Sequence, residues 1–353
     1  MRATVLGATG FVGRAVVRDL LLRGVAVRVA GRRPGLRPGA DGRGSEGPDG
    51  VERVYADLLE PGSLHGMCDG SDVLFQLASY IGPDDGMCRA VNEHGTRAAV
   101  AEARRAGVGH VVLLSTTAVY GAGPHRGIAV GEIEAEPVSV VSRTRLAGER
   151  YVLEAGGTVL RPGLVLGRGD RWVVPALADM LRRVPARWDS GRALLSVVDV
   201  HDLARLVAGV GVSGEGLGVR HASHPTPVPV SDLIGELASH GVLDVPLDAW
   251  PLDRCLERLR ATEGWVSERQ FRLLAEDHWY ADSQAWSAAG GPPAAHPLFG
   301  LAGAAAWYRA HMAHAAADAG TGRPAPAARG VQGKVPNSQR SSGGQRPRST
   351  QPG

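Results

Sequence analysis

Ala3-Thr4-Val5-Leu6-Gly7-Ala8-Thr9-Gly10-Phe11-Val12-Gly13, followed by Ala15, Val16, Leu20 and Leu21, is the stretch that decides the fold. The first four residues form a short apolar run, three glycines follow, and the apolar positions after them recur at helical spacing. This reads as strand, tight turn and helix. A helix opening directly from such a turn presents free N–H groups and the positive end of its dipole, which suit a pyrophosphate; a Cβ at the glycines would block the approach. A glycine triplet also occurs in turns that merely pack, so its surroundings must carry the reading.

Working outward, Val25 to Ala30, Val51 to Tyr55, Val73 to Ala78, His110 to Ser115 and Thr158 to Leu160 are further short apolar runs. Helical patterns such as Met87 to Ala106 and Arg143 to Glu154 lie between them, and Arg32 to Gly50, dense in Gly, Pro and charge, reads as a surface loop. Strands alternating with helices predict an α/β protein with a Rossmann-type, doubly wound parallel sheet. Past about residue 165 the alternation fails, and Val173 to Arg183, Val230 to Ser239 and Asp253 to Leu259 look helical. The expected organisation is a dinucleotide-binding core over 1–165 whose sheet later segments complete, a smaller C-terminal substrate-binding lobe over 166–318, and a disordered tail over 319–353.

Composition narrows the function. A chain of 353 residues, 44% hydrophobic, builds a large core unaided, and Cys68, Cys88 and Cys255 have no metal-ligand spacing, so neither disulfides nor a metal are expected. The net charge of +3 is misleading: the tail carries five arginines, Lys334 and no acid, leaving the body at −3, so nucleic acid is not an expected partner. No apolar run nears the roughly 18 residues of a membrane span, and no signal sequence opens the chain, so a cytoplasmic location without a membrane partner is expected. Lys334 is the only lysine.

At the end of the second strand, Val29-Ala30-Gly31-Arg32-Arg33 offers no acid for an unmodified ribose but two guanidinium groups for a 2′-phosphate. That favours NADP over NAD as cofactor, the alternative being that Arg32 and Arg33 belong only to the solvated loop. Asp57, after the third strand, is placed to take the adenine amino group.

Together with the glycine turn, Asp57-Leu58, Gln76-Leu77-Ala78-Ser79, Asn92-x-x-Gly95-Thr96, Ser115-Thr116-Thr117-Ala118-Val119-Tyr120-Gly121, Leu160-Arg161-Pro162-Gly163 and Asp199-Val200-His201-Asp202 resemble the extended short-chain dehydrogenase/reductases. The motifs follow that family's order over about residues 2–310. The resemblance implies dinucleotide contacts at Gly7, Thr9, Gly10, Phe11, Val12, Gly13, Asp57, Leu58, Leu77 and Ala78, with Pro162 and Gly163 near the carboxamide. It also implies that Thr116 is the active-site hydroxyl.

One departure matters most. The family's Tyr-x-x-x-Lys helix here reads Val141-Ser142-Arg143-Thr144-Arg145, so valine and arginine stand where its acid and its lysine do. No shift of register restores the pair, because Lys334 lies in the tail. Arg145 either holds the nicotinamide ribose or is an exposed helix arginine, and a guanidinium with pKa above about 12 donates no proton at neutral pH.

Thr116 is too weak an acid to act alone. Tyr120 reads as core or wall, His201 as structural, and Tyr80 is the best protein-derived substitute. Otherwise the substrate protonates itself: a ketone beside a phenol can accept hydride while the phenol gives up its proton, and the enzyme need only position the two. The sequence is also similar to an atypical branch of the family, NADPH-dependent ketoreductases of angucyclinones that lack the usual triad. That resemblance implies an aromatic polyketide substrate in antibiotic biosynthesis. Ser79, Tyr80, Tyr120 and Trp172 are the expected substrate contacts. The competing readings are a catalytically silent NADP-binding regulator and, by fold analogy alone, a sugar-nucleotide epimerase or dehydratase. Arginines 97, 104, 105, 143 and 150 crowd the helices that the family uses for dimers, so a monomer is expected.

Overall fold

The computed structural model describes residues 1–32, 45–46, 50–282 and 284–320, with 45–46 and 315–320 described by their backbone only. Arg33 and the tail from 321 onward, on which two of the expectations rest, lie outside the described residues.

Seven parallel strands form the central sheet: β1 (Arg2–Leu6), β2 (Ala26–Gly31), β3 (Glu52–Tyr55), β4 (Val73–Gln76), β5 (His110–Leu114), β6 (Thr158–Arg161) and β7 (Gly218–His221). Their order is β7-β6-β5-β4-β1-β2-β3, with Ser45–Glu46 adding a short antiparallel pairing at the β3 edge. The chain therefore steps outward to one side after β1 and to the other after β4. The crevice between β1 and β4 is the switch point where such sheets take ligands.

The apolar runs become strands because both of their faces are covered. On one side α1 (Phe11–Leu22) and α5 (Val200–Ser213) bury Val16, Leu20, Leu203, Leu206 and Val207 against Val5, Phe75 and Val112. On the other, α2 (Thr96–Arg105) and α3 (Val140–Glu154) bury Ala99, Val100, Ala103 and Val152 against Leu6, Leu74 and Leu113.

A third core lies beyond the sheet. It joins α4 (Val173–Arg183) to the helices Val230–Ser239, Leu252–Arg260 and Leu301–Gly320, with Trp188 and Phe271 packed ring to ring at 4.6 Å between centroids. Each large side chain so buried contributes about 1.5–3 kcal/mol relative to exposure. A mixed four-stranded sheet in the order Val228–Pro229, Leu194–Leu195, His278–Tyr280, His125–Ile128 ties this core to the central sheet.

All six early strands fall where the hydrophobic runs place them, as do the helices over 173–183 and 230–239. The pattern from Met87 to Ala106 is not one helix, however. Asp85–Cys88 and α2 are separated by a π-helical stretch, Arg89–Gly95. Among the described residues no helix is long and apolar enough to cross a membrane.

Candidate active site

The glycine turn is a built cradle. Gly7 holds φ at +80°, and a Cβ there would stand 2.6 Å from the Ala78 amide nitrogen, while one at Gly13 would collide with the Gly7 carbonyl oxygen. These contacts press β1, the β4 end and the first turn of α1 together. Gly10 donates its N–H to Gly7 O at 2.9 Å, and no side chain caps α1. Among the described residues no acceptor faces the N–H groups of Phe11, Val12 and Gly13, the donors that a helix start leaves free. Donor set and cradle together fit the pyrophosphate of a dinucleotide.

Of the remaining expected contacts, Leu77 and Ala78 abut this turn. Thr9 is exposed, and Leu77 and Ala78 line the end of β4. Leu77 N–H bonds Leu6 O, and Ala78 N–H bonds the Gln76 side chain. Asp57 is half-buried and its Oδ1 takes the Leu59 N–H at 3.0 Å, while Leu58 is buried against Gly95. Arg32 closes β2 with an exposed side chain. The main-chain groups of Pro162 and Gly163 are spoken for: Pro162 O accepts from Thr117 N–H, and Gly163 N–H donates to Ser223 Oγ.

A narrow crevice runs from the β4 end to the β5 end, lined by Ala78, Ser79, Asn92, Thr96, Ser115 and Arg145. Asn92 explains the π-helical stretch. Its Oδ1 accepts from Tyr80 N–H and its Nδ2 donates to Tyr80 O and Thr144 Oγ1, so the widened turn aims one side chain at three partners. Gly148 allows α3 to approach, since a Cβ there would collide with Asn92 O.

Arg145 is turned inward, which removes the reading of it as an exposed helix arginine. Its Nη2 donates to Leu114 O at 2.8 Å, and burial pulls its pKa down to about 10 against the upward pull of Glu149. It is still charged at neutral pH, with further N–H groups than the one Leu114 uses. Thr116 lies two residues beyond Leu114, whose carbonyl Arg145 holds; it is half-buried, and its Oγ1 accepts from Ala118 N–H at 3.1 Å, leaving the hydroxyl proton to donate.

Several expected contacts stand elsewhere. Tyr120 is 4% exposed and donates to His221 Nε2 at 2.8 Å, stacked on Tyr280 with the Arg161 guanidinium 4.9 Å from its ring. The short Thr117–Tyr120 turn after Thr116 points this ring into the core, so Tyr120 is not a pocket-wall residue. Tyr80 folds its hydroxyl over Gly82 of its own loop, where a Cβ would collide with the ring. Ser79 is exposed at the crevice, Trp172 is 39% exposed ahead of α4, and His201 is exposed in the first turn of α5.

Sequence reasoning missed the buried charges beneath the crevice. Glu149 receives Ser115 Oγ, Arg161 Nε and Arg161 Nη2. An arginine inside the apolar Leu160-Arg161-Pro162 run was the available signal, since a charge there requires a partner.

Residues 3–212 match the NAD dependent epimerase/dehydratase family. The chain belongs to that family. Among curated relatives it is 34% identical over 182 residues to sterol demethylase protein B of Methylococcus capsulatus, covering 48% of this chain and 53% of that protein. It is 31% identical over 229 residues to the 4-hydroxy-2-methyl-3-oxo-4-farnesyl-3,4-dihydroquinoline-1-oxide ketoreductase of Stigmatella aurantiaca, covering 61% and 66%. The chain thus matches about half to two thirds of the length of these relatives. Among solved structures, MoeE5 in complex with UDP-glucose and NAD superposes with a TM-score of 0.63 at 20% identity, over 88% of this chain and all of that one. A likeness at that identity speaks for the epimerase/dehydratase fold alone.

Proposed function

We propose that this family member is an NADPH-dependent ketoreductase of a polycyclic aromatic polyketide, an angucyclinone in antibiotic biosynthesis, whose own phenol supplies the proton. The observation that carries the reading is the lining of the crevice: among the described residues it is made of Arg145, Ser79, Asn92, Thr96 and Ser115 with the apolar Ala78, Leu113 and Leu114, and it holds no tyrosine, histidine or lysine. The ketoreductase relative from Stigmatella supports the reaction class.

When bound, reduced nicotinamide supplies hydride to the carbonyl carbon. The chain's part is to hold and to shield. The N–H groups of Phe11, Val12 and Gly13 bind the pyrophosphate, Arg32 at the end of β2 favours the 2′-phosphate, and Arg145 orients the ribose side from α3. Thr116 donates its hydroxyl hydrogen to the substrate oxygen without surrendering the proton. The C–O π pair moves to oxygen as the new C–H bond forms. The oxygen then takes the proton of the neighbouring phenol, leaving alcohol and phenolate. A phenol, with pKa of about 10, holds the negative charge far better than an aliphatic alkoxide. The charged helix faces support a monomer.

Turnover is read as loss of nicotinamide absorbance with a panel of hydroxylated quinonoid ketones. Reduction of a ketone carrying an adjacent phenol, with the phenol methyl ether at least about a hundredfold slower, is expected. Equal rates for the two would reject the substrate-supplied proton. Tight NADPH binding with no turnover of any ketone would instead favour a silent NADP-binding regulator.

A further inference from the structure

Tyr308 lies in the C-terminal helix, far in sequence from the glycine turn, and is fully buried. Its hydroxyl accepts from Gly167 N–H at 2.8 Å and donates to Asp170 Oδ2 at 3.1 Å. Both ends of one tight turn are thereby fixed, for Asp170 N–H also bonds Gly167 O at 3.0 Å. Asp170 is itself buried, and its carboxylate takes the N–H groups of Trp172, Val173 and Val174, capping α4.

That turn is wedged against the dinucleotide cradle. Gly169 has φ of +111°, and a Cβ there would stand 2.9 Å from Phe11 Cδ2; Gly167 has φ of +129°, and a Cβ there would stand 2.7 Å from Val200 Cγ1. Phe11 and Val200 are the first residues of α1 and α5. The turn therefore fills the space beside the helix start whose N–H groups face the pyrophosphate. Its glycines are required both by backbone conformation and by closeness.

We infer that Tyr308 is a positioning residue for the dinucleotide: by holding the Gly167–Asp170 turn it seats Phe11, and with it the anion-binding first turn of α1. The inference rests on the dinucleotide reading of the glycine turn. The position of the ring in the lobe core explains only its bulk; the two hydrogen bonds explain why the side chain ends in a hydroxyl.

The test is Tyr308→Phe in the full chain, with NADPH affinity measured by direct titration well below the melting temperature. Loss of the hydroxyl leaves Gly167 N–H without its acceptor while the ring still packs, and a Kd for NADPH raised about tenfold is expected, with kcat at saturating NADPH within about twofold. A purely structural tyrosine would lower the melting temperature and leave the Kd alone, and that result in folded protein overturns the inference. Gly169→Ala, which pushes on Phe11 from the same turn, should raise the Kd in the same direction and stands in if Tyr308→Phe does not fold; an unchanged Kd there is equally fatal. Failure of the wild-type protein to bind NADPH or NADH would count against the dinucleotide reading instead.

Discussion

Glu149 and Arg161 meet in a buried two-point contact, Nη2 to Oε2 at 2.5 Å and Nε to Oε1 at 3.1 Å, with side chains 1% and 9% exposed. Ser115 Oγ donates to the same carboxylate from the end of β5. The pair thus clamps α3 to β5 and β6 directly beneath Thr116 and Arg145. Glu149→Gln leaves the arginine charged and unpaired, and a loss of about 3–5 kcal/mol in unfolding free energy is expected from denaturant titration. Replacing both, Glu149→Leu with Arg161→Met, should recover most of that loss; no recovery would mean that the pair contributes more than mutual neutralisation.

Arg32 is the described half of the 2′-phosphate reading. Arg32→Ala should weaken NADPH by about tenfold to a hundredfold and leave NADH nearly unchanged, because only the phosphorylated ribose loses a charge-assisted contact. Paired titrations with both nucleotides decide it. Equal weakening of both would remove Arg32 from the phosphate site.

Thr116→Val removes the hydroxyl hydrogen from the active site. With the proton coming from substrate, single-turnover rates should fall no more than about a hundredfold, the scale of one lost oxygen-site donor. A fall beyond about a thousandfold would point to proton relay through that hydroxyl.

Burial lowers the pKa of both His125 and His221 below the usual 6.5. Each is neutral in the fold and more readily protonated in the unfolded chain, so their contribution is intact above about pH 6.5 and falls away as pH drops toward the lowered native values. The melting temperature should decline from pH 7.5 to 5.5. His221→Gln should shrink that decline relative to wild type; an unchanged pH slope would assign it to other groups.

The glycine turn and the six early strands were legible because glycine, apolar periodicity and strand ends act locally. Tyr120, read as core or wall and also as an expected substrate contact, is core: in sequence it directly follows the active-site segment, but the four-residue turn Thr117–Tyr120 rotates it into a cluster with His221 and Tyr280, which arrive from remote parts of the chain. Arg145 could be read only as one of two alternatives, since whether a helix arginine faces inward depends on the carbonyl that meets it, here Leu114. The Tyr308–Asp170 contact spans 138 positions and leaves no local pattern.

The central sheet is finished late. β6 ends at Arg161, yet the strand that covers its outer edge begins only at Gly218, after α4, α5 and much of the third core have been threaded through. A chain emerging from the ribosome carries a bare parallel edge for more than fifty residues of translation, and so would any fragment trimmed near residue 165. The nucleotide-binding half is for that reason not a separable module, and attempts to express it alone should yield self-associating material.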